Sequence, residues 1–294
     1  MNNLRQGRVE QKVSVIKKCL GVWLGHPLPR IVLFLFLSEE ILELLRVFVH
    51  ETMTALKLHT SFLAREIRYE VLFCLATWIS VLVVKRFGEW PSIRDYFPRT
   101  RQFWWLFIGF GLTVGLMLSI AWITTNTAGK SYWRGIPHFP YAYILIEFFL
   151  TAFVEEIIYR GYVFSFLQKN YGTAPALAGS CITFGGIHLL NGGSYDLMAC
   201  LMITITSGLL LTGAFAWTKS LYLPIGLHFG YDFAFGLLYG GHHFSPLVSI
   251  APASTTSLFV WLIELYTGAG LLFLVYRRGD WKFSSKNSKI PAAD

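Results

Sequence analysis

The chain reads as a series of long apolar stretches separated by short polar ones. After a polar, basic segment over 1–30, an apolar run begins at Ile31 and breaks at Leu37 into Ser38, Glu39 and Glu40, with Glu43 and Arg46 following. Seven later stretches are apolar at membrane length: about 69–85, 103–127, 140–167, 174–190, 196–218, 221–240 and 257–276. A bilayer core takes roughly 20 apolar residues, with a range of about 17–25. The pattern predicts an all-α polytopic transmembrane helical bundle of seven to eight spans. The eighth would be 31–50, as a tilted span or an interfacial helix, since charges at a helix centre cost about 2.5–3.5 kcal/mol each in lipid. The spanning reading is favoured because it leaves the basic N-terminal arm on the same side as the other positive loops. No internal repeat stands out. The expected organisation is an arm with a first membrane helix over 1–68, a transmembrane domain over 69–278 and a polar tail over 279–294.

Composition agrees. The 294 residues are 54% hydrophobic and only 14% charged, against about a quarter charged in soluble domains. The net charge of +8 would suggest nucleic acid as a partner of a soluble protein, but here the positives lie between apolar segments and set topology. Lys85, Arg86, Arg94, Arg99 and Arg101 fall in one loop, and Arg277, Arg278, Lys282, Lys286 and Lys289 after the last stretch. Both are expected on the cytoplasmic side, with membrane lipid as surroundings and no nucleic acid as partner. Of Cys19, Cys74, Cys181 and Cys200 none forms a CxxC, so neither a zinc knuckle nor a disulfide framework is expected. The run at Ile31 lacks a small-residue cleavage site, so it is not read as a signal peptide.

Chemistry is carried by polar residues inside the apolar stretches, where an ionisable group is a functional candidate by default. Glu155 and Glu156 are adjacent in mid-stretch. Glu156 and Arg160 are four apart and share a helix face, so they can pair. Glu155 is rotated by about 100° from that face and is left available as a general base. Phe184 and His188 share one face of the next stretch. Taken alone, His188 reads as a hydrogen-bonded core histidine. His228 and Asp232 share a face, and they interleave with Gly226 and Gly230, a close-packing signal. Gly185 and Gly186 are also expected to admit a neighbouring backbone. Glu147 and Glu264 stand singly and are read as interhelical or cavity-lining acids. Counted at about 1.5 Å per residue from the cytoplasmic helix ends, Glu155, His188, His228 and Asp232 reach depths that allow a common site.

Glu155-Glu156-x-x-x-Arg160, Phe184-x-x-x-His188 and His228-x-x-x-Asp232, in that order, resemble the CPBP family. This family comprises type II CAAX prenyl endopeptidases and bacteriocin-processing or self-immunity proteins, also called ABI. The resemblance covers about 140–240. It implies a helical bundle with an intramembrane catalytic cavity and an endopeptidase acting on a membrane-associated, lipidated or C-terminally processed protein. By this resemblance Glu155 and His188 activate water, while His228 and Asp232 stabilise the oxyanion or hold the site. Many family members carry Asn where this chain has Asp232. An ionised carboxylate cannot donate to an oxyanion as an amide can, so Asp232 fits a role orienting His228 better. No cofactor is favoured. In a metal-dependent version His188, His228 and Glu155 would bind zinc, although the chain lacks HExxH. Alternatives are a catalytically silent scaffold or immunity protein of the same fold, or a proton-coupled transporter. The expected location is a bacterial or archaeal cell membrane with a cytoplasmic C-terminus.

Overall fold

A computed structural model describes residues 23–56, 62–87, 89, 91–98, 101–128, 141–190, 197–239 and 254–279. Among these residues the fold is all helical, with no strand element. The helices are α1 (Pro27–Ala55), α2 (Phe62–Val84), α3 (Trp104–Ala128), α4 (Tyr141–Glu156), α5 (Ser165–Tyr171), α6 (Thr173–Leu190), α7 (Leu197–Thr218), α8 (Tyr222–Tyr239) and α9 (Ser254–Arg277). A π-helical stretch, Ile157–Phe164, joins α4 to α5 without a break. Three stretches are long and apolar enough to cross a membrane by length and composition: Ile67–Phe87, Trp104–Ile123 and Val260–Arg277.

The chain divides into two compact units. One comprises Met1–Thr60 with Val71–Trp90, the other Ser61–Glu70 with Pro91–Asp294. In the smaller unit, Leu42 of α1 packs with Leu72 and Ala76 of α2. Arg30 donates to the Glu89 carbonyl at 3.3 Å. The charges that interrupt the apolar run, Glu39, Glu40, Glu43 and Arg46, all lie on exposed faces of α1, and Glu43 pairs with Arg46 at 2.9 Å.

The larger unit is built on close backbone approach. Helices in lipid gain no hydrophobic drive from each other, so small residues and dense packing hold them. A Cβ on Gly226 of α8 would strike the Leu106 carbonyl of α3, and one on Gly230 would sit 2.7 Å from the Phe110 carbonyl. Gly109 answers from α3, where a Cβ would lie 2.8 Å from the Leu227 nitrogen. The order of these contacts makes α3 and α8 parallel. Further along, Met117 and Ile120 of α3 meet Ala234 and Leu238 of α8 and Val260 of α9. Helices α7 and α9 are likewise parallel. A Cβ on Gly268 would lie 2.6 Å from the Leu210 nitrogen, and one on Gly213 would lie 3.1 Å from the Gly268 carbonyl. Gly186 has open space around its Cβ position, so the close approach expected there is not used.

Several chain ends meet at one end of this unit. The Trp105 and Trp217 rings lie 5.4 Å apart, and the Arg278 guanidinium sits 5.7 Å from the Trp217 ring. The Tyr96 carbonyl accepts the Leu221 amide at 3.0 Å at the start of α8. Gly172 ends α5 with φ 93°, a left-handed conformation that suits glycine. Lys219 turns the chain between α7 and α8 at φ 56°.

Gly226→Ala should destabilise the protein by about 1–3 kcal/mol, because the added methyl meets backbone that cannot move aside. Gly186→Ala should leave the unfolding midpoint within experimental error or raise it. Thermal unfolding in detergent checks both.

Candidate active site

The site grows from α4 and its π-helical extension. Every residue of Ile157–Phe164 is buried. The Ser165 hydroxyl donates to the Arg160 carbonyl at 3.0 Å, and the Ser180 hydroxyl of α6 donates to the Tyr159 carbonyl at 3.0 Å. These side chains occupy backbone oxygens in a segment whose winding differs from an α-helix, and such segments occur often at functional sites.

Glu156 and Arg160 are both 0% exposed. Arg160 Nη1 donates to Glu156 Oε1 at 2.7 Å, the pairing that the four-residue spacing predicts. The guanidinium also lies 4.3 Å from the centre of the Phe184 ring. Glu156 does more than pair with Arg160. Its Oε1 also accepts from His228 Nδ1 of α8 at 2.9 Å. A carboxylate already engaged by arginine can only accept, so Nδ1 carries the proton.

That bond fixes the His228 ring and turns Nε2 toward two further carboxylates. Asp232 Oδ2 lies 3.3 Å from Nε2 and Glu155 Oε2 lies 3.8 Å from it. Glu155 and Asp232 side chains are 19% and 23% exposed, so the two acids reach open space while Glu156 does not. Two carboxylate oxygens facing Nε2 give an N–H there an acceptor, so the ring can present a donor on this side. The orientation of His228 was expected from Asp232. The structure gives the ring's Nδ1 side to Glu156 and leaves Asp232 on the Nε2 side.

His188 reaches the site from α6. Its Nδ1 donates to the Phe184 carbonyl at 2.8 Å, which leaves the Nε2 lone pair as an acceptor in the neutral ring. The Phe184 ring stands between the two histidines, edge to face with His188 at 5.2 Å and with His228 at 5.8 Å. Of the seven residues picked out by spacing, Glu155, Glu156, Arg160, Phe184, His228 and Asp232 form one contiguous cluster, and His188 adjoins it through Phe184. Among the described residues no three His, Cys, Asp or Glu side chains converge as ligands for a metal ion.

Sequence reasoning missed the turn Ile93–Tyr96, which packs beside this cluster. Tyr96 meets Phe215 at 5.4 Å, and Phe97 meets Phe153 and Tyr222 at 5.9 and 5.3 Å. Burial pushes the Tyr96 phenol up to about 12, against the lowering effect of its hydrogen bond with Ser165. The adjacent aromatics Tyr96 and Phe97, inside a polar loop flanked by Pro91 and Pro98, were the available signal.

The fold and cluster define an integral membrane protein with a buried Glu–Arg–His–Asp centre. Residues 137–234 match the model of the family described as type II CAAX prenyl endopeptidase Rce1-like, in agreement with the resemblance to the CPBP family. The match supports a CAAX-type intramembrane protease kind of function, a hydrolase of membrane-associated proteins. No curated protein and no solved structure matches the chain.

Glu156→Ala should lower stability by about 3–5 kcal/mol, because it leaves Arg160 as an uncompensated buried charge. It should also disable whatever His228 does, since the ring loses its Nδ1 partner. Replacing both Glu156 and Arg160 by leucine should recover much of the stability and none of the activity, as read by unfolding midpoint and turnover.

Proposed function

We propose that this chain is an intramembrane endopeptidase that hydrolyses a peptide bond near the lipidated C-terminus of a membrane-associated protein, with water activated by Glu155. The observation that carries this reading is the convergence of Glu155, Glu156 and Asp232 on the one imidazole of His228. A partly exposed carboxylate beside a hydrogen-bond donor is what general-base hydrolysis requires.

In this reading Glu155 takes a proton from water as the water oxygen attacks the scissile carbonyl. His188, its Nδ1 held by the Phe184 carbonyl, orients the same water through Nε2. The developing oxyanion accepts a hydrogen bond from His228 Nε2–H, whose position is supported by Glu156 and Asp232. Glu155 then delivers its proton to the amide nitrogen as the C–N bond breaks, giving a carboxylic acid, which keeps the water's second proton, and an amine; the acid's proton then passes to the amine or to solvent. Asp232 acts on His228 and does not itself donate to the oxyanion. A zinc ion held by His188, His228 and Glu155 would supply Lewis acidity in a metal version. The metal-free version is preferred because Glu155 as base and His228 as donor already supply both functions that hydrolysis needs, and the chain lacks HExxH.

The clustering of Tyr96, Trp217, Leu221 and Arg278 at one end of the larger unit supports a topology in which the basic loop and the C-terminal tail share a side. By the positive-inside rule that side is cytoplasmic, and an even number of crossings between the two is compatible with the seven to eight spans read from the sequence.

The test uses the full chain in proteoliposomes with an internally quenched farnesylated peptide ending in a CAAX sequence. Glu155→Gln should lower turnover by at least about a hundredfold, the lower bound for loss of a general base, with the unfolding midpoint unchanged. Undiminished cleavage by that variant would overturn the assignment. Activity should persist in excess chelator; loss with chelator and recovery with zinc would establish the metal version instead.

A further inference from the structure

Glu264 lies on α9, outside residues 137–234, and the chemistry above does not use it. It is only 7% exposed. Its Oε2 lies 2.8 Å from Thr206 Oγ1 and 2.9 Å from Ser207 Oγ, both on α7. Thr206 Oγ1 is also 2.9 Å from the Met202 carbonyl. Thr206 has one hydroxyl proton for these two oxygen neighbours, and a carbonyl can only accept. With Glu264 ionised, one of the two contacts has no proton. A neutral carboxyl closes the count: Glu264 donates to Thr206, Thr206 donates to Met202, and Ser207 donates to Glu264. The neutral acid is also the form that a low-dielectric interior accepts at least cost. Helices α3 and α7, which pack against α9, carry no Lys, Arg, His, Asp or Glu; the group that acts against the neutral form is His228 on α8, and the hydrogen-bond count outweighs it.

The consequence lies on the far side of α7. Next to Ser207 is Gly208, where a Cβ would sit 3.0 Å from Cys181 Sγ of α6. Phe184 and His188 follow on that same helix. One turn beyond Glu264, Gly268 abuts the Leu210 backbone, so α7 is clamped between α9 and α6. We infer that Glu264, as a neutral carboxyl, is a positioning residue for the proposed site. Its hydrogen bonds fix the height of α7, and through the Gly208–Cys181 contact the height of α6 and its Phe184 and His188. The inference rests on the proposed protease reading for its functional consequence, and on the hydrogen-bond count for its chemistry.

The test compares Glu264→Gln and Glu264→Leu in the full chain in proteoliposomes. The infrared difference spectrum between wild type and Glu264→Gln at neutral pH should show loss of a protonated-carboxyl stretch; no such band would overturn the neutral form. With the farnesylated peptide, Glu264→Leu should lower kcat by about ten- to a hundredfold with KM unchanged, the cost of slight misplacement at a distance. An amide keeps a donor and an acceptor, so Glu264→Gln should restore kcat to within about threefold of wild type. Full activity in the leucine variant, or equal loss in both, would overturn the positioning role. If the leucine variant does not fold, Thr206→Val with Ser207→Ala removes the same bonds from α7 and should give the same loss of kcat. Should wild type fail to cleave the peptide, the protease reading falls. The infrared band and the unfolding midpoints of the two Glu264 variants still decide the clamp.

Discussion

One carboxylate oxygen, Glu156 Oε1, holds the centre of this molecule together. It accepts from Arg160 Nη1 and from His228 Nδ1, at 2.7 and 2.9 Å. The first bond closes within one helical segment and the second crosses to α8. Arg160 in turn lies over Phe184 of α6, so one buried ion pair connects three helices. A charge at 0% exposure is tolerated only when it is compensated, and here the compensation also orients the imidazole. With Nδ1 committed to Glu156, Nε2 has one direction left, toward Asp232 and Glu155. Structural support and chemical polarity therefore come from the same atoms.

The division of labour between the adjacent glutamates follows from helix geometry. A rotation of about 100° takes Glu156 into the buried pair and leaves Glu155 partly open. Desolvation would make an uncompensated Glu155 costly, and burial would make an exposed Glu156 useless as an anchor. Neither residue can exchange roles with the other without turning the helix, and the π-helical stretch that follows is held by Ser165 and Ser180 against such a turn.

Much of this was legible along the chain because it depends on short spacings. Glu156 to Arg160, Phe184 to His188 and His228 to Asp232 are each one helical turn, and a turn is a local property. The glycines at 226 and 230 were legible for the same reason. Their partner Gly109 was not, since nothing local ties it to a helix more than a hundred residues away. The bond from Glu156 to His228 spans 72 residues, and it reassigned the support of His228 from Asp232 alone to Glu156 on one ring nitrogen and Asp232 on the other. Glu264 read as an isolated acid, because its hydroxyl partners lie on another helix 57 and 58 residues earlier. The expectation at Gly186 failed because a missing Cβ permits close approach without requiring it.

Helix α8 shows how the backbone contacts set the chemistry. Gly226 and His228 are two residues apart, as are Gly230 and Asp232, and two residues turn a helix by about 200°. The glycines thus form one face and the polar pair the opposite one. On the glycine face, α3 approaches so closely that a methyl at 226 would strike the Leu106 carbonyl. That contact is backbone against backbone and has no side chain to yield. Turning α8 by even one residue would drive a larger side chain into α3, and sliding it would misalign Gly230 with Phe110. The position of His228 is therefore set from behind by α3, and its ring orientation from the front by Glu156, before any substrate arrives. Preorganisation of this kind lets a donor act on a developing charge without reorganising, and here it is supplied by two residues that have no side chains.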